Sequence, residues 1–247
     1  MPLIIICKSY FNSIKNISLF KTKINLKKLE NMKKYLLTFA LSLISLTAFA
    51  QTDYEKVMSD KIAKIENCKS LDEFQTLAND FDRIGKKETK EWLPAYYAAF
   101  AYIQKGRMLM RDGKMSELSA QANIAEKYLD QAESIAGKDN AEIHLLRKMS
   151  YSLKMMENPT ERYMTDGMKA MEELRKAESL DPGNPRIALI KAEDTYFTPE
   201  QFGGSKTKGM EQFKDALAKF TSYSPKSKIA PNWGKAEAEY FINGAAK

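Results

Sequence analysis

The chain contains two closely similar stretches, Ala132-Glu133-Ser134-Ile135 and Ala177-Glu178-Ser179-Leu180, which lie 45 residues apart. The residues that lead into them agree in the same register, with Ala125 and Leu129 in the first copy and Ala170 and Leu174 in the second. Alanines at these spacings let neighbouring helices approach closely, while the leucine between them fills the gap. The sequence therefore contains a duplicated helical unit.

A weaker third copy follows 43 residues after the second, with phenylalanine in place of both alanines. It contains Phe213, Leu217, Phe220 and Pro225. Terminal repeats are often atypical because they cap the stack. A unit of two helices cannot bury its apolar faces alone and must stack on its neighbours. The sequence therefore predicts an all-α fold, a short right-handed solenoid of antiparallel helical hairpins.

Helical periodicity recurs along the rest of the mature chain and predicts about eight or nine helices. Start and stop signals mark their boundaries. We expect a first helix with the apolar stripe Tyr54, Val57, Met58, Ile62 and Ile65, then helices that begin at the capping box Ser70–Glu73, near Pro94, near Ser116, after Asn140, at Pro159, at Pro185, near Lys206 and within 234–243.

Residues 32–50 have the three parts of a secretory signal. Met32 is followed by two lysines and a tyrosine, then by an apolar run too short to span a bilayer, and then by small residues at positions −3 and −1 before Gln51. We expect cleavage after Ala50, no stable membrane span in the mature chain, and a periplasmic or secreted protein.

Residues 1–31 are interpreted as a non-native extension ahead of a true start at Met32, or as a long positive region of the same signal. A single helical-repeat domain then covers 51–247.

The net charge of +7 arises in this leader. Beyond residue 50 the chain carries 31 basic and 31 acidic residues. A nucleic-acid-binding protein normally concentrates positive charge on its folded domain, so we expect no nucleic-acid partner. No internal disulfide is expected, because Cys7 lies in the leader and Cys68 is alone in the mature chain.

The second helix of the duplicated unit resembles that of a tetratricopeptide repeat. The spacing Ala170-x3-Leu174-x2-Ala177-x4-Pro182 has that family's residue types, and the following turn through Pro185 resembles its usual ending. The runs 196–204 and 230–235 are also similar to exported repeat proteins of Gram-negative bacteria. The resemblance covers about residues 90–247, and it implies a scaffold that binds a protein or peptide rather than an enzyme.

The units are longer than the 34 residues of a tetratricopeptide repeat, which places the extra length between the two helices of each unit. The connections at 111–115, 157–160 and 198–205 are expected to stack along one edge and to contact a partner. The candidate partner-binding residues are Phe202 and Trp233 for this edge, and Trp92 and Tyr97 for the third helix. The aromatic residues of that helix cover more than one side, and its second side is either core or a groove.

Residues that resemble catalytic or ligand-binding groups have more ordinary interpretations. His144 is the only histidine and is interpreted as a packed or surface residue rather than a ligand. The pair Glu172-Glu173 is expected to be solvated surface. Residues 203–208 lack the spacing of a phosphate-binding loop, so we expect a capped turn whose glycines supply positive φ. No catalytic, cofactor-binding or metal site is predicted.

Met164, Met168 and Met171 align three flexible thioethers on one helical stripe. We expect a core stripe, with an adaptable peptide groove or a soft-metal site as the alternatives.

The sequence as a whole favours a non-enzymatic exported scaffold that binds a protein or peptide. Two alternatives remain open. One is an exported hydrolase-like enzyme whose acids, tyrosines and lysines meet only in the fold, and it requires a deep pocket with perturbed pKa values. The other is a self-assembling homo-oligomer whose exposed terminal repeats stack on further copies.

Overall fold

The computed structural model describes residues 53–244, and this part of the chain contains helices, turns and connections but no β-strand. The predicted leader, its cleavage site and residues 1–31 lie outside the described residues. The helices are α1 (53–65), α2 (Leu71–Lys87), α3 (Leu93–Arg111), α4 (Leu118–Ala136), α5 (Ala141–Glu157), α6 (Pro159–Arg162), α7 (Met168–Leu180), α8 (Pro185–Phe197), α9 (Lys206–Ser222) and α10 (Lys235–Gly244).

A π-helical turn, Tyr163–Gly167, joins the single turn of α6 to α7. The stretch 159–180 is therefore one continuous helical segment, and the described residues contain nine such segments when it is counted once. A short 3-10 turn at Glu200–Phe202 lies in the predicted connection 198–205, and another, Met115–Glu117, begins at the last residue of the predicted connection 111–115.

The helix starts follow the local sequence signals. Ser70 and Glu73 form the predicted capping box, in which the Glu73 amide donates to the Ser70 hydroxyl over 3.2 Å and the Glu73 carboxylate accepts from the Ser70 amide over 3.2 Å. Asn140, Asn184 and Ser205 cap α5, α8 and α9, each by accepting one first-turn amide on its side-chain oxygen, without the reciprocal bond of a capping box. These side chains satisfy amides that have no partner within the helix.

Most successive helices pack as antiparallel hairpins. The most extensive contacts join α2 to α3, α3 to α4, α4 to α5, α5 to α7, and α8 to α9. Contact between α7 and α8 is slight by comparison. Side-chain ion pairs also link α8 to the earlier helices, since Arg107 of α3 contacts Glu193 and Lys148 of α5 contacts Asp194.

The duplicated segments occupy equivalent positions, as the repeat predicts. Ala125 and Ala132 are buried where α4 packs in its unit, and Ala170 and Ala177 are buried where α7 packs in its unit. In the third copy, large side chains take the alanine positions and Phe213 is fully buried. The prediction of an all-α fold of helical hairpins is confirmed.

A buried polar cluster joins the first turns of α3, α5 and α8. Arg186 has no exposed surface and donates from Nε and Nη2 to the Glu142 carboxylate over 2.6 to 3.0 Å. The Tyr96 hydroxyl donates to the same carboxylate over 3.0 Å, and the Trp233 indole donates to Tyr96 over 2.8 Å. The cluster ties the segment before α10 to the helix starts. Removing one member of a buried ion pair costs about 3–5 kcal/mol.

Candidate functional site

The four residues predicted to bind a partner have different environments. Tyr97 is 1% exposed and Trp233 is 6% exposed, so both are core residues. The expectation that these two side chains contact a partner is therefore wrong. Tyr97 donates its hydroxyl to the Ile229 carbonyl, while Trp233 stacks on Phe100 at 4.6 Å between ring centroids. Trp92 is half-buried and Phe202 is 73% exposed, and their role stays a prediction.

Helix α3 is buried on both of its aromatic sides. Tyr96, Phe100 and Tyr102 are buried, and Tyr102 stacks on Tyr128 of α4 at 5.9 Å. The other side meets α2, where Tyr97 stacks on Phe81 at 5.4 Å. The interpretation of one side as a groove is therefore wrong, because neighbouring elements cover both.

The methionine stripe has the opposite environment. Met164 is 72% exposed, Met168 42% and Met171 47%, and Tyr163 one residue earlier is 52% exposed. We call these four side chains the methionine surface. The expectation that the methionines form a core stripe is wrong. The covered stripe instead contains the buried Ala170 and Ala177, with the partly buried Leu174 packed between them.

The close contact of α7 with α5 explains which stripe is exposed. A Cβ on Gly167 would lie 2.9 Å from the Met155 sulfur of α5, so the π-helical turn lies very near that helix. Alanine and glycine on the inner face leave the larger thioethers of Met168 and Met171 on the outer face. Because α8 makes little contact with α7, it leaves this stripe exposed.

Two lysines flank the Tyr151 ring. Lys154 pairs with Glu126 over 2.8 Å, and Lys169 directly follows Met168 on α7. The Lys154 and Lys169 amines lie 5.5 and 5.4 Å from the centroid of the Tyr151 ring on α5. Burial is the main cause that raises the pKa of the Tyr151 phenol, which is therefore neutral at physiological pH. Arg175 continues the stripe one turn beyond Met171. Positive charge is thus available beside an apolar strip.

A second exposed apolar group lies where α8 and α10 meet. Phe197 and Tyr240 are 62% and 73% exposed. Both contact Phe241, at 5.6 and 5.7 Å between ring centroids, and Phe241 stacks on the buried Phe213 at 4.4 Å. We call Phe197, Tyr240 and Phe241 the aromatic surface. Phe197 and Tyr240 are 43 positions apart along the chain, so no local pattern indicated this surface.

Two of the predicted edge connections meet in the structure. Residues from 115–116 and from 157–162 line one cleft of about 610 Å³. The third connection has the predicted capped turn, because Gly203 has φ 90° and a Cβ on Gly204 would lie 1.7 Å from the Thr198 carbonyl oxygen. This turn presents the exposed Phe202.

His144 and Glu173 form a partly buried pair. His144 is 6% exposed, and its Nδ1 lies 2.6 Å from a Glu173 carboxylate oxygen. The pKa of His144 is raised, mainly by the hydrogen bond that its Nδ1 donates to Glu173. Burial alone would raise the pKa of Glu173, but the hydrogen bonds from His144 and Lys176 outweigh it, and that pKa is lowered. The expectation that Glu173 is solvated surface is wrong, since its side chain is only 12% exposed.

A half-buried group of charges joins α3, α8 and α10. Arg107 donates to Glu193 over 3.0 Å and to Glu237 over 2.6 Å. Burial first, and then the neighbouring Glu237, raise the pKa of Glu193 to about 7 despite the nearby arginine. The three residues are 44 or more positions apart along the sequence, so local patterns gave no signal for this group.

Stacked helical hairpins with exposed apolar surfaces define a class of binding protein in which the ligand contacts helix faces. Within residues 53–244, no helix has the length and apolarity needed to cross a bilayer. No family model and no curated protein matches the chain.

Among solved structures, the chain is similar to the HusA haemophore from Porphyromonas gingivalis. The sequence identity is 33%, the match covers 76% of this chain and 90% of that one, and the TM-score is 0.66. At this identity and coverage, the chain belongs to the same family as that haemophore. The narrower resemblance to tetratricopeptide repeats stays a prediction.

Proposed function

We propose that the chain is an exported, non-enzymatic binding protein that carries haem or a closely related tetrapyrrole on its methionine surface. Membership of a haemophore's family is the observation that carries the ligand class. The proposed binding surface is the set of exposed side chains Tyr163, Met164, Met168 and Met171. The predicted leader supports export, and a mature protein that begins at Gln51 by N-terminal sequencing would test it.

The chemistry of the available side chains favours this position. Haem iron in proteins is held by histidine, cysteine, methionine or tyrosine. His144 is only 6% exposed and its Nδ1 is engaged by Glu173, so it offers a ligand only at Nε2, in the separate cleft lined by Asp139 and Glu133. The Cys68 thiol is half-buried, and burial raises its pKa. Methionine thioethers need no deprotonation to bind a metal, and those of Met164 and Met168 are open to solvent.

The shape and charge of haem also fit this surface. The porphyrin ring is flat and apolar, while its two propionates are anionic. Flexible thioethers adapt to an apolar ligand. Lys169 and Arg175 lie on the same helix and can reach the propionates.

Titration of the mature protein with ferric haem, followed by the Soret band, tests the proposal. We expect replacement of Met164, Met168 and Met171 together by alanine to weaken binding by about tenfold or more, because each substitution removes apolar contact and a sulfur ligand. A triple Met→Leu variant separates the two contributions. It should keep its affinity for metal-free protoporphyrin and lose affinity for ferric haem.

Two matched controls locate the site. Val57→Ala changes an exposed apolar residue of α1 and should leave haem affinity unchanged. Phe197→Ala with Tyr240→Ala removes two exposed members of the aromatic surface. Loss of haem binding in that variant, with wild-type affinity in the methionine variants, would assign the ligand to the aromatic surface instead. No haem binding by the wild-type protein would contradict the proposed function.

A protein partner is the second proposed function, and the exposure of Phe202 favours it. The Phe202 side chain is 73% exposed. It lies on a turn whose backbone requires glycine at 203, where φ is positive, and at 204, where a Cβ would clash with Thr198. A haem carrier must also release its cargo to a receiver, so the two functions are compatible. Crosslinking in the native envelope, with wild-type protein compared with Phe202→Ala and Trp92→Ala, tests this role. Identical crosslinked products in all three would contradict it.

A further inference from the structure

We infer that the hairpin between α4 and α5 binds a divalent transition-metal cation of the zinc class through His144 Nε2, Asp139 and Glu133. One potential ligand atom from each residue lies within 4.8 Å of the other two. The three residues come from the last turn of α4, the connection and the first turns of α5. They face an open cleft of about 540 Å³ that Arg175 and Lys176 also line. None of the three ligands belongs to the methionine surface, although Arg175 borders both this cleft and the proposed haem site.

The orientation of His144 is the strongest evidence. Its ring is more than nine-tenths buried, and Nδ1 is engaged by Glu173 at 2.6 Å. Within residues 53–244, Nε2 has no hydrogen-bond partner and lies beside the cleft. A carboxylate on one ring nitrogen fixes the tautomer and presents the other nitrogen's lone pair to a metal. Glu173 is the carboxylate on Nδ1 of His144, which leaves Nε2 as the nitrogen that can bind a metal.

The distance from His144 Nε2 to Asp139 supports a shared ion rather than a hydrogen bond. Nε2 and Asp139 Oδ1 are 3.7 Å apart, which is too long for a hydrogen bond. Two ligands of a tetrahedral zinc ion, each about 2.0–2.2 Å from the metal, lie roughly 3.4 Å apart. Asp139 is 77% exposed and lies in the short connection after Gly137, so it can close the remaining few tenths of an ångström.

Glu133 supplies the third ligand and is itself held in place. One of its oxygens accepts from Arg147 over 2.7 Å, and Arg147 also contacts Asp130. The other oxygen is available to the cation. Water would complete four-coordination, since zinc accepts nitrogen and oxygen ligands together with an open position.

The duplicated hairpin provides an internal comparison. The caps Asn140 and Asn184 occupy the same position in α5 and α8. In that register His144 corresponds to Ala188 and Asp139 to Gly183. The second hairpin therefore lacks two of the three ligands, and its glutamate, Glu178, pairs with Lys191. The ligands are a feature of one repeat and are not needed to build the hairpin.

Calorimetric titration of the mature protein with Zn²⁺ tests the inference, and the protein must carry no histidine tag. We expect one ion to bind, and we expect Asp139→Asn, an exposed substitution that should not affect folding, to weaken binding at least tenfold. Glu173→Gln should weaken it by about 10–100-fold, as is usual when the partner of a ligating histidine is removed. Glu172→Gln changes a carboxylate of the same cleft outside the ligand set and should have no effect.

The single histidine gives a second readout. Diethyl pyrocarbonate can modify imidazole only at His144, so Zn²⁺ should slow the increase in absorbance that accompanies modification. A Cys68→Ser variant must retain Zn²⁺ binding, which excludes the free thiol as the ligand. Zn²⁺ binding that is equal in wild-type, Asp139→Asn and His144→Gln proteins would overturn the inference. Absence of binding to the wild-type protein would overturn it as well.

Discussion

Helices α3 and α7 both carry large apolar side chains on more than one side, but only α3 has enough neighbours to bury them. Helix α3 packs against α2, α4 and α5, and Tyr96 and Phe100 are no more than 1% exposed. Helix α7 packs mainly on α5 and leaves Met168 and Met171 nearly half exposed. The spacing of apolar residues thus identifies a stripe, while the number of neighbouring elements decides whether that stripe is core or binding surface.

Phe100→Ala in α3 should have the largest effect on stability. The ring is 1% exposed and stacks on Trp233, so its removal leaves a cavity between α3 and the segment before α10. We expect the free energy of unfolding to fall by about 3–5 kcal/mol, measured by urea denaturation. A loss below about 1 kcal/mol would mean that α3 is less enclosed than the structure shows.

Glu193→Gln should change the pH dependence of stability through the contact of α8 with Arg107 of α3. The folded-state pKa of Glu193, about 7, exceeds the ordinary value of 4.5, so the native protein holds a proton that the unfolded chain releases between these pH values. Unfolding free energy should therefore fall as pH rises from 4.5 to 7, by on the order of 1–2 kcal/mol. The folded-state pKa of His144 is also raised, so the titration of His144 likewise lowers the unfolding free energy as pH rises above 6.5.

Glutamine keeps the shape of the protonated carboxyl and cannot titrate. The Glu193→Gln variant should therefore be more stable than wild type at pH 8 and about equal to it at pH 4.5, by urea denaturation across this range. Glu172→Gln is the surface control and should parallel wild type throughout. A Glu193→Gln variant that is less stable than wild type at pH 8 would show that the fold favours the ionised carboxylate and that the pKa of Glu193 is not raised.

Glycine-to-alanine substitutions at Gly106 of α3 and at Gly167, just before α7, should have different effects on the free energy of unfolding. A Cβ on Gly106 of α3 would lie 2.6 Å from a methyl group of the buried Leu153. Overpacking there should outweigh the gain in helix propensity, for a loss of about 1 kcal/mol. At Gly167, before α7, the closest atom is the sulfur of the flexible, half-buried Met155 at 2.9 Å, which can move aside. Gly167→Ala should be neutral or stabilise by about 0.5 kcal/mol, measured by thermal and urea unfolding.

The sequence predicted most of the helices, because caps, prolines and the 3.6-residue period act within one turn or two. Ser70, Asn140 and Pro185 start helices where these signals place them. It could not predict which stripe of α7 is covered, since that depends on how far α8 lies from α7. It also missed the ring nitrogen contact of His144 with Glu173, because the two residues are 29 positions apart and meet only when α5 and α7 pack.

Replacement of the three methionines of the methionine surface by serine should have the smallest effect on stability and so tests the comparison most directly. Met164, Met168 and Met171 contact solvent on their outer faces, and changes at such positions usually stay within about 0.5 kcal/mol of wild type. We therefore expect the triple variant to unfold at nearly the wild-type urea concentration while it loses haem affinity. A loss of 2 kcal/mol or more that grows with protein concentration would contradict this result. It would mean that a second copy of the chain covers the stripe, and α7 would then resemble α3 in being enclosed, but by an assembly instead of by its own fold.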